Sequence, residues 1–187
     1  YIHIDYKYLP QMPDESKRRY LFVAIDRATR WVYVEIKAHK DARSATAFLK
    51  AVRAKAPFRI RKLLTDNDKA FTDRLHRKAR QPSGEHVFDR LCEREGIEHR
   101  LSPVRHPQTN GMVERFNGRI SEVLATHRFD SRADLETTLK RYSHLYNHHI
   151  PQKALGQRTP VQAMKDWQDS HPQLFIRQVR DHAGPDK

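Results

Sequence analysis

The chain holds a single cysteine, Cys92, so it can close no internal disulfide, which agrees with a reducing compartment. No run of about 18 apolar residues is present to span a bilayer as a helix. Nothing at the start of the chain resembles a secretory signal, and no internal repeat or low-complexity segment is visible. Aromatics are sparse at 9% and hydrophobic residues make up 37%, low but adequate for a folded domain with a heavily charged surface. The largest shortfall is in acids, 23 Asp+Glu against 36 Lys+Arg, for a formal net charge of +13. Such an excess favours a polyanionic partner, nucleic acid first and an anionic membrane surface second. At 187 residues the simplest expectation is one domain with a sizeable core. Because Tyr1 is not an initiator methionine, a fragment of a longer protein is expected.

Three strand-like runs come first: Tyr1 to Leu9, Arg19 to Asp26 and Trp31 to Ile36. The short link Asp26-Arg27-Ala28-Thr29-Arg30 suits a hairpin, so an antiparallel meander is expected. The period then changes. Ala45, Phe48, Leu49 and Val52 fall at the spacing of one helix face between Asp41 and Ala56. A strand ending at Asp66, a helix near His86 to Glu95 with Gly96 just past its end, and a strand from Ile97 to Leu101 follow. Strand–helix–strand alternation after a meander adds parallel strands to an antiparallel sheet, an α/β fold with a mixed sheet. Between Phe71 and Glu85 lies a basic polar connector, either a loop that touches nucleic acid or a solvated link. Two helices follow Gly111: Met112 to His127, with Val113, Phe116, Ile120, Val123 and His127 as its buried stripe, and Arg132 to Tyr146 capped by Ser131. A short helix begins at Pro160 behind Thr159, and the last dozen residues read as linker or frayed end. The expected division is a core over 1–150 and a C-terminal extension over 151–187.

Three carboxylates stand out by context. Asp5 lies in the opening strand on the face opposite Ile2 and Ile4. Asp66 closes a later strand, where α/β sheets place their ligand crevices. Glu114 stands in the first turn of the helix after Pro107-Gln108-Thr109-Asn110-Gly111. Two strand carboxylates and one on a helix can converge to hold hard divalent cations through oxygen ligands. On so basic a chain the natural work for such ions is phosphodiester chemistry. Each acid also has a plainer reading: a solvent-facing strand residue, an Asx-turn former, and a charge set against a helix N-terminus. Asp26 reads as a hairpin residue and Glu35 as outward-facing. His148 and His149 are adjacent on a helix and point apart, which weighs against a zinc site.

The motifs fall in order along most of the chain: Ile2-His3-Ile4-Asp5, Leu21 to Asp26, Leu64-Thr65-Asp66-Asn67, His106 to Asn117, Tyr146-Asn147-His148-His149 and Ala154 to Pro160. This set resembles the catalytic core of DDE-type transposases and retroviral-type integrases, most of all insertion-sequence transposases with an integrase core. The resemblance implies a ribonuclease H-like fold, a five-stranded mixed sheet flanked by helices. It also implies Asp5, Asp66 and Glu114 as catalytic metal ligands, Mg²⁺ or Mn²⁺ as cofactor, two ions rather than one, and cleavage of transposon ends followed by strand transfer. The implied partner is DNA, as transposon ends and as target duplex, engaged by a dimer or higher homo-oligomer, with no membrane. The implied setting is the bacterial cytoplasm, at the nucleoid. Candidate DNA contacts are Gln108, Asn117, Lys69, Arg105, Arg115 and Arg119, with Lys7 and His106 beside the motifs. Two departures from the family pattern stand out: Asp68 where glycine is usual, and the 47 residues between Asp66 and Glu114, a long interval placed in the basic connector. A hydrolytic nuclease and an inactive nucleic-acid-binding module stay open beside the strand transferase.

Overall fold

A computed structural model describes residues 1–103 and 111–181. Its strands are β1 (Ile2–Tyr8), β2 (Tyr20–Asp26), β3 (Val32–Lys37), β4 (Lys62–Thr65) and β5 (Glu98–Leu101). The helices are α1 (Ala42–Lys55), α2 (Val87–Arg94), α3 (Gly111–Thr126), α4 (Arg132–His148) and α5 (Pro160–Ser170). The five strands form one sheet in the order β3-β2-β1-β4-β5. β1, β2 and β3 are antiparallel neighbours, whereas β4 and β5 join as parallel strands. This is the ribonuclease H-like mixed sheet that the motif order implies.

Alternation in β1 and β2 sorts side chains to two faces. Ile2, Ile4, Phe22 and Ala24 enter a core closed by Phe48, Leu49 and Val52 of α1 and by Phe88, Leu91 and Cys92 of α2. Leu21, Val23 and Ile25 enter a second core with Val113, Phe116 and Ile120 of α3 and Leu135, Leu139 and Tyr146 of α4. β2 is buried on both sides, which is why it reads as a continuous apolar run.

Local chemistry sets the element ends. Asp41 caps α1 by accepting from the Ser44 amide at 2.8 Å, and Ser131 caps α4 by accepting from Asp134. Thr159 and Gln162 form a reciprocal capping box at α5. Gly96, at φ 65°, ends α2: its amide donates to Glu93 O and the Ile97 amide to Cys92 O, the paired bonds of a Schellman stop.

Two expectations change. His127 is exposed rather than part of the α3 stripe, since it lies past the helix end at Thr126, and Val123 is only half-buried. The C-terminal segment is tied down as far as Val179, which is buried. The Arg59 amide donates to Leu174 O, the Ile176 amide to Pro57 O, and the Arg177 guanidinium to Ala54 O and Ala56 O. Satisfying the end of α1 in this way gives that segment a docking surface that composition alone conceals. Among the described residues no helix is long and apolar enough to cross a membrane.

Candidate active site

Asp5 sits on β1 opposite Val23 of β2, on the sheet face that α3 covers. β1 pairs with β4 in parallel, His3 against Leu64, so the same register carried forward brings Asp5 level with Asp66 just past β4. The Asp5 carboxylate accepts from the Tyr6 amide at 2.8 Å and from Asn117 Nδ2 at 3.4 Å. Asn117 lies one helical turn beyond Glu114 on α3, so the contact puts that helix face over the aspartate. Burial pushes the Asp5 carboxyl up to about 6. The Tyr6 amide opposes this, and the charges of Asp66, Glu114 and Asp68 add to it. All three carboxylates therefore lie within electrostatic reach of Asp5.

Asp66 accepts from the Asp68 amide at 3.0 Å, closing the turn after β4. Burial raises its carboxyl, with the Asp68 amide and the Lys40 cation acting against the shift and the Asp68 charge with it. Glu114 is exposed. Among the described residues no three His, Cys, Asp or Glu side chains are gathered to hold one ion. The two aspartates and α3 share one place, but Glu114 is not closed onto them.

Several supporting residues escape sequence reasoning. The Tyr6 hydroxyl donates to Asp68 Oδ2 at 2.8 Å and receives a bond from Lys40 Nζ at 3.2 Å. Lys40 also lies over the rings of Tyr6 and Tyr8, at 5.3 and 4.9 Å from their centroids. It brings a cation to the acids from the far end of β3, a placement no local pattern signals. Asn67 Nδ2 donates to Ser102 O at 2.8 Å, joining the ends of β4 and β5, while Thr65 Oγ1 meets His99 Nε2 at 2.9 Å and His99 Nδ1 bonds Asp89. These ties fix the strand end that carries Asp66.

Asp68, in place of a glycine, is accommodated. Among non-glycine residues described, only Arg30, Arg80 and Gln157 have positive φ, so Asp68 carries no such strain. Its side chain accepts from the Ala70 amide at 2.9 Å, and its carbonyl accepts from Phe71 and Thr72. The aspartate acts as a turn-former and anchors Tyr6.

Of the candidate DNA contacts, Lys69 and Arg115 are exposed, and Arg119 is half-buried with its guanidinium 5.6 Å from the Tyr146 ring centroid. Arg105, His106, Gln108 and the Asn110 turn lie outside the described residues. The Tyr-Asn motif has a structural meaning: Asn147 Oδ1 accepts from Val32 N at 2.9 Å and its Nδ2 donates to Val32 O at 2.8 Å. The edge strand β3 is thereby sealed by a side chain of α4. Asp26 is the hairpin residue expected of it, accepting from the Thr29 amide and hydroxyl, each at 2.9 Å.

A ribonuclease H-like sheet with one aspartate within a central strand and a second just past the end of the parallel strand beside it defines the class of integrase-type catalytic cores. The integrase core domain family matches residues 1–107, and a second integrase core domain description matches residues 95–160, so the chain belongs to the integrase core domain family. A Spiroplasma virus SpV1-C74 protein named "Putative integrase ORF3" is 24% identical over 165 residues, 85% of this chain and 46% of that protein. The Caenorhabditis elegans uncharacterized protein K02A2.6 is 24% identical over 143 residues, 76% of this chain and 10% of its own length. The chain thus spans less than half the length of these relatives. The catalytic core domain of BIV integrase superposes with a TM-score of 0.63 at 16% identity, covering 90% of this chain and 95% of the other.

Proposed function

We propose that this chain is the catalytic core of a DNA strand transferase, which cleaves the ends of a mobile DNA segment and joins the exposed 3′-hydroxyl to a target duplex. The supporting observation is the pairing of β1 with β4, which aligns Asp5 with Asp66, together with the Asn117 bond that sets the Glu114 helix over them. The donor set suits a hard divalent cation: all-oxygen ligands, and half-buried aspartates whose repulsion a cation relieves. Asp5, Asp66 and Glu114 are the residues to hold Mg²⁺ or Mn²⁺, two ions in this reading. Such ions supply a nucleophile with lowered pKa and neutralise charge on the phosphodiester. The chain's own part is positioning. The Tyr6 amide and Asn117 amide orient Asp5, the Asp68 amide orients Asp66, and Lys40 tempers the cluster's negative charge. Lys69, Arg105, Gln108, Arg115, Asn117 and Arg119 are the proposed DNA contacts, and a dimer or larger assembly the working form.

The test is a labelled branched oligonucleotide that the protein can resolve by reversing strand transfer, incubated with Mn²⁺ or EDTA. The expected result is product with Mn²⁺ only, and none from Asp66→Asn. Thermal unfolding gives a second readout: Mn²⁺ raises the midpoint of the parent protein and not of Asp66→Asn. Metal-dependent product from Asp66→Asn at the parent rate sinks the assignment. One observation favours a second reading, a nucleic-acid-binding module without chemistry: Glu114 is exposed, apart from the aspartates. Salt-sensitive DNA binding with neither product nor metal stabilisation is its signature.

A further inference from the structure

Two residues back along β1 from Asp5, on the same face, stands His3. It is 4% exposed, and neither ring nitrogen has a hydrogen-bond partner among the described residues. A buried imidazole without partners is costly and calls for an explanation. His3 lines a cavity of about 350 Å³ whose other walls include Arg27, Arg30, Arg115 and the first residues of α3. Arg30 is held there by a left-handed backbone at φ 62°, in the β2–β3 turn. Its Nη1 is buried and also lacks a partner. Arg27, Arg30 and Arg115 form no ion pair among the described residues. Asp26, which attracts Arg30, has its carboxylate engaged by Thr29.

The consequences show in the electrostatics. Burial and the Arg115 charge depress the Arg30 guanidinium. Positive charge and hydrogen-bond donors are thus concentrated in a concave site whose arginines form no ion pair among the described residues, Asp26 acting on Arg30 only from a distance. A neighbouring cavity of about 490 Å³ shares Arg30 and Arg115 and adds Arg119 and Lys153, continuing the basic track along the flank of α3. Guanidinium groups present a planar fork that matches phosphate oxygens. At roughly 3.4 Å per residue, His3 and Asp5 stand about 7 Å apart along the strand, close enough for one nucleic-acid strand to pass from carboxylates to pocket.

We infer that the pocket of His3, Arg30 and Arg115 binds a phosphate group, and that its ligand is a backbone phosphate of the nucleic-acid strand flanking the one at Asp5 and Asp66. The nucleic-acid identity of the ligand rests on the proposed function; the phosphate chemistry does not. Inorganic phosphate titrated into ¹⁵N-labelled protein in EDTA, at constant ionic strength, tests the chemistry. Saturable shifts of the Arg30 side-chain Nε–H and the His3 ring are expected in the parent protein, and the His3 ring shift is lost in Arg30→Asn and Arg115→Gln but kept in Arg43→Gln. Asn tolerates the positive φ of position 30, and Arg115 is exposed, so both variants keep the fold. No saturable shift, or the same shift in both variants, overturns the pocket. The second arm follows binding of a fluorescent duplex against salt, where each lost phosphate contact lowers the log–log slope by about 0.9. A fall of that size in Arg30→Asn and Arg115→Gln, but not in Arg43→Gln, is expected. Phosphate binding with unchanged slopes, or with no duplex binding at all, assigns the pocket to a free phosphate and overturns the nucleic-acid identity. Both arms succeeding while Asp66→Asn retains strand transfer removes the carboxylate reading and leaves the pocket standing.

Discussion

The two faces of the sheet are built from the same strands and used differently. On the α1–α2 side β1 contributes Ile2 and Ile4, and the aromatic rings interlock. Phe22 lies 5.4 Å from Phe48 and Phe71 lies 5.3 Å from Phe88, centroid to centroid. On the α3–α4 side β2 again contributes Leu21, Val23 and Ile25, but β1 contributes His3 and Asp5. One face closes and supplies stability. The other keeps β1 polar, with Asp5 level with Asp66 and, around His3, arginines that form no ion pair among the described residues. A face proposed to receive phosphate and metal cannot be packed shut along β1, so the first face carries the larger share of the core.

The sharpest way to break that comparison is to hollow out the closed face. Phe48→Ala removes a fully buried ring between Phe22 and Tyr33 and is expected to cost about 3–5 kcal/mol in denaturant unfolding. A loss under 1 kcal/mol means the aromatic core is not what carries the fold. The second test lies at the edge. Asn147→Ala leaves the buried Val32 amide and carbonyl without partners, at an expected cost of about 2 kcal/mol. An unchanged unfolding midpoint means the Tyr-Asn motif serves something other than sealing β3.

Much of this was open to reading in the sequence because it is written in local periodicity. Ala45, Phe48, Leu49 and Val52 are the buried face of α1, and Ser131, Thr159 and Gly96 occupy the helix ends expected of them. The positions of Asp5 and Asp66 followed from motif context, and their alignment from strand pairing. What stayed hidden depends on contacts across long separations. Lys40 reaches Tyr6 from 34 residues away, and Asn147 reaches Val32 from 115. His3 and Arg30 are ordinary residues in the sequence and become unusual only in the fold, where both His3 ring nitrogens and Arg30 Nη1 are buried without a partner among the described residues. His127 stays outside the buried stripe because the helix ends at Thr126, one residue before it, which its apolar spacing does not reveal.

Asp68 offers a finer probe at the boundary between the faces, since Tyr6 packs with the closed core while its hydroxyl meets the site turn. Asp68→Gly, the residue usual in the family, gives up acceptors for Ala70 and Tyr6 and gains no relief at φ. It is therefore expected to lose about 1 kcal/mol of stability. Asp68→Asn keeps acceptor oxygens and is expected to lose less. A more stable glycine variant shows that repulsion from Asp66 outweighs both bonds.

The smallest expected effect checks how completely the first face is shut. Cys92 on α2 is 1% exposed, and burial, with a contribution from the Asp89 charge, pushes its thiol up to about 12 from an ordinary 9.0. A raised folded pKa means that the stability tied to the neutral thiol is complete below pH 9 and drains away between about 9 and about 12. The unfolded chain ionises through that window while the folded one does not. At pH 9 the loss is about 0.4 kcal/mol, half-ionisation of the unfolded thiol alone. It should vanish in Cys92→Ala, where no thiol ionises in either state. A native thiol that a disulfide reagent modifies at pH 8 as fast as free cysteine shows that α2 opens from the sheet, and the contrast between a sealed face and a working one fails there first.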